Sequence, residues 1–305
     1  MASNGTRERS RLVRVTAYDG LVRAFAVDTT EVVAELRARH DTYPAVTAAL
    51  GRLATGALLL GSTLKEPHHS ITVRVQGNGP VGTLIATANG AGEVRGLAAN
   101  PRPDVDQVRD GKLNVSGVVG TSGQLSVTRD LGLRHPYGST VELVSGEIGD
   151  DLAYYLARSE QIPSAVGIGV FVRADGSVEA AGGYIVQLMP GVSEERAIEI
   201  ENTIRSLPHP TTMLRAGETP EGILDRIFPD GYDLLAETTV RFHCPCSRER
   251  AERALVLLGA EELSSLREKG AETGHSELVC EFCRTTYRFT AAEIEELIRE
   301  ARGEH

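Results

Sequence analysis

The sequence predicts an α+β fold: a β-rich N-terminal core with packed helices over residues 1–190, a helical connector over 191–240 and a small C-terminal zinc-binding module over 241–305. Three observations lead there. Apolar residues alternate with period two through most of the first 190 positions, the pattern of half-buried strands. After Pro190-Gly191 the spacing turns helical. All four cysteines fall in the last 62 residues, as Cys244-Pro-Cys246 and Cys280-Glu-Phe-Cys283.

In chain order, Leu12–Tyr18 and Leu21–Val27 flank Asp19-Gly20, a dipeptide that tolerates positive φ at both central positions of a type I′ turn, so a β-hairpin is expected. Thr29 or Thr30 then caps a helix with Val32, Val33 and Leu36 on one face. Past Pro44 a second helical run carries Val46, Leu50, Leu53 and Leu58. Strand patterns return at 71–76, 81–88 and 93–98 with Gly-rich turns between them, a β-meander. Further strands are expected at 113–119, 124–129, 140–145, 167–173 and 178–184, the last two joined by Asp175-Gly176.

Ser193 caps a helix with Ile198, Ile200 and Ile204. Shorter apolar pieces follow, carrying Leu214, Ile223-Leu224, Ile227-Phe228 and Leu234-Leu235, punctuated by Gly217, Pro220, Pro229 and Gly231. Such pieces are too short to be stable alone, since isolated helices below about 12–15 residues are marginal in water. They need a host surface. A strand over 239–243 should lead into the Cys-Pro-Cys turn. Ser247 caps a helix to Leu258, a second helix spans 261–269, strands at 277–279 and 287–289 surround Cys-Glu-Phe-Cys, and Thr290 caps a last helix with Ile294, Leu297 and Ile298 inward. About 60 residues with this little apolar material usually need a staple.

Composition limits the function. The 305-residue chain, 41% hydrophobic and 24% charged, should mostly fold, as roughly two domains. The longest strongly apolar run, Ala57–Leu60, falls far short of the roughly 20 residues of a membrane span, and the first residues show no apolar signal core. A cytoplasmic location is expected, where thiols are kept reduced. The net charge is −10, and residues 244–305 alone hold nine Lys/Arg against thirteen Asp/Glu, net −4. That balance argues against a nucleic-acid partner, which requires basic patches.

Four thiolates on two short turns can surround one tetrahedral Zn²⁺, so Cys244, Cys246, Cys280 and Cys283 are the candidate metal ligands. The same sulfurs can become two local disulfides. An inert structural site is one reading. Against it stands Cys-x-Cys: structural zinc pairs are usually separated by two to four residues, and a bridge across one residue would be strained and labile. Thiol–disulfide catalysis by Cys280-x-x-Cys283 is a third reading, weakened because the context is strand–turn–strand rather than βαβ. Arg248, Arg250, Arg284 and Arg288 crowd the cysteines and are candidates to stabilise thiolates. His243 and His275 are surplus to a complete four-sulfur shell. Gly77-x-Gly79-x-x-Gly82 matches a dinucleotide fingerprint only formally, since a strand rather than a helix follows it. No Walker loop indicates ATP, no G-x-S-x-G elbow indicates a hydrolase, and no enzyme activity is expected.

The run Phe242-His-Cys-Pro-Cys-Ser-Arg-Glu-Arg250, then Cys280-Glu-Phe-Cys283 before Tyr287-Arg-Phe289, resembles the 33 kDa redox-regulated heat-shock chaperone family (heat shock protein 33). The likeness extends upstream through Thr128-Arg-Asp-Leu-Gly132, Gly146-Glu-Ile148, Ser159-Glu-Gln161, Pro163-Ser-Ala-Val166 and Gln187-Leu-Met-Pro-Gly191, and so covers nearly the whole chain. It implies an ATP-independent holdase, inactive while reduced and zinc-bound. On oxidation Cys244 pairs with Cys246 and Cys280 with Cys283, zinc leaves, and the module and connector unfold. Leu214, Ile223, Leu224, Ile227, Phe228 and Leu234 then become the candidate client-binding residues. The resemblance also implies a homodimer on activation, with the N-terminal sheet as its site, and unfolded proteins as partners.

Overall fold

The hairpin turn at Asp19-Gly20 forms as its chemistry requires: φ is 56° and 82° at the two residues, and the Leu21 N–H donates to the Tyr18 carbonyl at 3.0 Å. In the computed structural model, which describes residues 10–303, that turn joins the first two strands of a two-sheet unit running through His243; a second unit begins at Cys244.

The elements of the first unit are β1 (Arg11–Ala17), β2 (Val22–Asp28), α1 (Thr30–His40), α2 (Pro44–Gly61), β3 (Ser70–Gly77), β4 (Thr83–Asn89), β5 (Glu93–Ala98), β6 (Val108–Arg109), β7 (Lys112–Leu113), α3 (Val115–Val119), β8 (Gly123–Asp130), β9 (Tyr137–Glu142), α4 (Gly149–Arg158), β10 (Ser164–Val172), β11 (Val178–Leu188), α5 (Glu194–Ser206), α6 (Pro210–Arg215), α7 (Pro220–Ile227), β12 (Asp233–Thr239) and β13 (Arg241–Phe242). One sheet has the order β10-β11-β2-β1-β12 and the other β13-β5-β4-β3-β8-β9; every pairing is antiparallel except β13 with β5.

Helix α2 is the centre of the main core. All of its residues except Pro44 and Arg52 are buried, among apolar side chains of both sheets. Its 18 residues are apolar and long enough to cross a membrane by composition alone, but 89% of that window is buried inside the protein, the pattern of a helix that is hydrophobic all round because it is a core element. Two of its glycines make close packing possible. A Cβ on Gly51 would lie 2.7 Å from Val33 and 2.8 Å from Val170, and one on Gly56 would lie 2.3 Å from Leu152.

The middle strands of the five-stranded sheet, β1, β2 and β11, are buried on both faces. Leu12, Phe25, Val27 and Ile185 point to the α2 core, whereas Val13, Val15, Ala24, Tyr184 and Val186 belong to a second cluster completed by Met213, Ile223, Leu224, Ile227 and Phe228 of the connector. The host surface that the connector pieces require is therefore the outer face of this sheet.

Four local expectations are corrected. Residues 113–119 are not a strand: after the short β6–β7 hairpin, Val115, Val118 and Val119 are buried at helical spacing in α3. Leu234-Leu235 is not a helical piece but part of β12, which pairs along β1 from Arg11↔Thr239 to Thr16↔Asp233. Thr29 occupies the N-cap of α1 without capping it: its hydroxyl pairs with that of Thr55 at 2.7 Å inside the core, and Asp28 instead accepts the Thr30 N–H at 2.9 Å. Helix α4 goes beyond the sequence expectation, although Leu152, Tyr155 and Leu156 carry its buried stripe. The Gly77–Gly82 stretch is the β3–β4 connection, and Cβ atoms on Gly77 and Gly79 would strike the carbonyls of Val119 and Val118, so these glycines serve close backbone approach.

The second unit is α8 (Arg248–Val256), α9 (Ala260–Gly270), β14 (Ser276–Val279), β15 (Thr286–Phe289) and α10 (Ala291–Ala301). Ser247 accepts the Arg250 N–H at 3.3 Å, and Thr290 with Glu293 forms a reciprocal capping box, as the sequence indicates. Its core is slight: Ala251, Leu255, Leu263, Phe289, Ile294, Leu297 and Ile298.

A carboxylate organises the entry to α4. Fully buried Asp151 accepts N–H groups of Val144 (2.8 Å), Ser145 (3.0 Å) and Gly146 (3.3 Å) on one oxygen and of Ile148 (2.9 Å) on the other. That holds Ile148 at φ 69°, which a β-branched residue does not adopt unaided. We predict that Asp151→Asn, which sets an amide NH₂ against an N–H donor, destabilises the first unit by about 3 kcal/mol, read as a lower urea midpoint at unchanged slope.

Candidate metal centre

Two turns deliver the four cysteines. The first pair immediately precedes the Ser247 cap of α8. The second pair sits on the β14–β15 turn, where Val279 and Thr286 are the last paired residues, the Cys280 N–H donates to the Thr285 carbonyl at 2.9 Å, the Arg284 N–H donates to the Cys280 carbonyl at 2.8 Å, and Arg284 takes φ 62°. This tight reversal lets the backbone N–H groups of Phe282 and Cys283 address the Cys280 sulfur.

The sulfurs converge. All four lie within 4.8 Å of one another, with Cys244 to Cys280 at 3.8 Å and Cys246 to Cys283 at 3.2 Å. Four sulfurs at about 2.3 Å from a shared tetrahedral ion would be about 3.8 Å apart. Both distances are far longer than a disulfide's ~2.05 Å. The donor set therefore fits one soft or borderline divalent cation, and no histidine belongs to it: His275 Nε2 lies 3.1 Å from Glu277, and His243 Nε2 lies 3.9 Å from Glu93.

Electrostatics around the sulfurs is set by hydroxyls and N–H groups. Burial raises the Cys283 thiol, but the Thr285 hydroxyl, 3.2 Å away, and the Thr285 N–H prevail, together with the Cys246 and Cys280 thiols, and bring it down to about 6. Burial pushes Cys246 up to about 12, against the pull of the Tyr287 hydroxyl, which donates to it at 3.1 Å. That hydrogen bond in turn raises Tyr287 to about 12. Burial also raises Cys280, outweighing its two backbone donors. Without a cation the cluster sets one ready thiolate, Cys283, against Cys246 and Cys280, which burial keeps protonated; a bound divalent cation reverses that preference, since coordinating thiols are deprotonated.

Two of the four candidate arginines make contacts away from the sulfurs. Arg248 donates to the Arg288 carbonyl at 2.9 Å and to Glu293 at 2.6 Å and lies 4.5 Å over the Phe289 ring, while Arg288 pairs with Glu277 at 2.8 Å. They tie α8, β15 and α10 together. The residues that sequence reasoning missed are Thr285 and Tyr287; their signal is a hydroxyl two and four residues beyond Cys283, on a strand returning past the sulfurs.

Of the candidate client-binding residues, Leu214, Ile223, Leu224, Ile227 and Phe228 share one buried cluster against the outer sheet face, with Phe228 meeting Tyr18 edge-on at 6.0 Å. Leu234 is not among them, being 53% exposed on β12. The sheet residues Val13, Val15, Ala24, Tyr184 and Val186, absent from the sequence expectation, form the other half of that contact.

Comparison with known proteins agrees over nearly the whole length. Residues 10–290 match the family model described as Hsp33 protein. The 33 kDa chaperonin of Bacillus subtilis (strain 168) is 46% identical over 286 residues, covering 94% of this chain and 97% of the relative. That of Listeria monocytogenes serotype 4a (strain HCC23) is 45% identical over 294 residues, covering 95% and 99%. Among solved structures, the crystal structure of the 33 kDa chaperonin (heat shock protein 33 homolog) from Thermotoga maritima superposes with a TM-score of 0.88 at 38% identity, over 97% of this chain and 99% of the other.

Tyr287→Phe removes the one side-chain hydroxyl that donates to Cys246. Groups of this kind around a metal site typically contribute 10–100-fold to affinity, so the variant should yield its metal to a competing chelator at about tenfold lower chelator activity, with the fold intact by circular dichroism.

Proposed function

The chain belongs to the Hsp33 family, and from that premise we propose that it is an ATP-independent holdase, silent while Cys244, Cys246, Cys280 and Cys283 hold one zinc ion and active once they are oxidised. The observation that carries this reading is the convergence of four sulfurs in a unit whose buried apolar residues number only seven. Zinc held by thiolates supplies about 10–16 kcal/mol of apparent folding free energy to small modules, as much as the whole margin of about 5–15 kcal/mol by which domains are stable.

The residues then act in sequence. Oxidation joins Cys244 to Cys246 and Cys280 to Cys283; each bond forms from two thiolates, which give two electrons to the oxidant, so that hydrogen peroxide, its O–O bond broken, takes up those electrons and two protons from solvent and leaves as two waters. Pairing within each turn removes every thiolate and leaves no sulfur link between the turns, and the module loses its staple. Because β12 and β13 run directly into Cys244, disorder spreads along the chain into the connector. Release of α6 and α7 uncovers Leu214, Ile223, Leu224, Ile227 and Phe228 together with the sheet face beneath them, an apolar surface for unfolded clients. Leu234, already half exposed, extends it along β12. The activated form is a homodimer through the N-terminal sheet. The reading places the protein in the cytoplasm, with no nucleotide, nucleic acid or membrane as partner and no catalytic turnover.

Two outcomes are expected. Reduced protein should contain one zinc per chain, lose it on treatment with hypochlorous acid or with peroxide plus mild heat, and in the same interval begin to suppress aggregation of an unfolded client. Zinc loss without protection would leave a metal-stapled scaffold and reject the chaperone reading. In addition, Phe228→Ala, which empties a fully buried aromatic site between α7 and the sheet, should cost the docked connector about 3 kcal/mol; client protection should then appear at a lower oxidant dose than in the parent chain.

A further inference from the structure

We propose that the first unit holds a second ligand site, a pocket for a small aliphatic carboxylate, where the edge strand β12 passes the end of α2. A cavity of about 190 Å³ lies there, below the roughly 300 Å³ at which drug-sized sites begin. Arg14 and Lys65 line it and no acidic residue does. Among the described residues neither cation has an ion-pair partner, and the only hydrogen bond of the Arg14 guanidinium runs from Nη1 to the Ser62 carbonyl at 3.0 Å, leaving most of its five donors uncommitted. Its Nε is buried with no acceptor. Positive charge also accumulates beside it, for burial and then Arg14 lower the pKa of Arg23. In a chain of net charge −10 a pocket lined by two cations and no carboxylate is unusual.

The walls narrow the class. Leu12, Leu58 and Leu64 line the cavity together with its cations, which suits a carboxylate on a short hydrocarbon body better than a fully hydrated phosphate. The guanidinium can meet both carboxylate oxygens, with the Lys65 ammonium as a mobile second donor.

The position of the pocket gives it a consequence, which rests on the holdase reading above. Ala236 and Thr238 line it from β12, and they are the register partners of Arg14 and Leu12 on β1. The site is complete only while β12 is paired, so a ligand bound there favours the docked connector by mass action and raises the oxidant dose needed to release it.

Titration calorimetry of butyrate into the reduced, zinc-loaded full chain tests the site, with inorganic phosphate as the comparison anion. Saturable butyrate binding is expected, weakened about tenfold by Lys65→Met, as loss of one charge-assisted contact implies, and more by Arg14→Met. Lys65 is exposed, so its variant should keep the parent thermal midpoint when no ligand is present. Absence of saturable binding, equal affinity in both variants and the parent, or phosphate binding as tightly as butyrate would each overturn the proposal. Butyrate should also delay client protection after peroxide in the parent chain and not in Lys65→Met. Binding without delay overturns the link to β12, whereas a chain that binds butyrate yet never protects a client overturns the holdase reading and leaves the pocket standing.

Discussion

The convergence of two turns on one point, with four sulfurs inside 4.8 Å, is the constraint on which the second unit depends. Three short helices and a two-stranded sheet contribute only seven buried apolar side chains, among the described residues, to the cluster that joins α8, α9, β15 and α10. The charged ties are surface ones. Arg248 to Glu293 and Arg288 to Glu277 join partly or largely exposed groups, and such pairs contribute at most about 1 kcal/mol each. The sulfur cluster is thus the dominant long-range link, and it is one that chemistry can cut.

The first unit is built on the opposite principle. Its main cluster gathers residues of α1, α2, α4 and both sheets around a helix with sixteen buried positions, and apart from Val240 it draws nothing from the connector. The second cluster is where the connector matters, since α6 and α7 supply one side of it and the sheet the other. Sidedness follows from the strand period: in β1, Leu12 faces one cluster while Val13 and Val15 face the other. A sheet sandwiched in this way reads in sequence as nearly continuous hydrophobicity, which is what Val22-Arg-Ala-Phe-Ala-Val27 displays.

How much of this was legible follows from how local each signal is. The hairpin at Asp19-Gly20, the caps at Ser193, Ser247 and Thr290, the meander and the clustering of the four cysteines were all readable, because each depends on turn chemistry or on side chains a few residues apart. Residues 113–119 misled because a valine run favours a strand by propensity, whereas Val115, Val118 and Val119 are spaced for a helix packed on the core. Leu234-Leu235 misled because a pairing partner more than two hundred residues away, on β1, decides its structure. Thr285 and Tyr287 lay outside the expectation because proximity to the sulfurs is created only when β15 folds back along β14. Arg248 and Arg288, also close in sequence to the cysteines, are drawn off by Glu293, Glu277 and a ring face.

A switch needs a part that stays folded as much as one that melts. If the connector shared the α2 core, losing it would unfold the chain and produce another client in place of a chaperone. The division between the two clusters prevents that: the inner face of the five-stranded sheet keeps its partners whatever happens to the outer face. On the proposed reading the cost would fall on β1, which would lose its edge partner with the release of β12 and present unpaired backbone groups beside Val13 and Val15. An exposed apolar edge strand is a liability in most proteins because it recruits other chains. Under the proposed holdase function the same property would be the means of capture, and it would also give two activated copies a surface on which to meet.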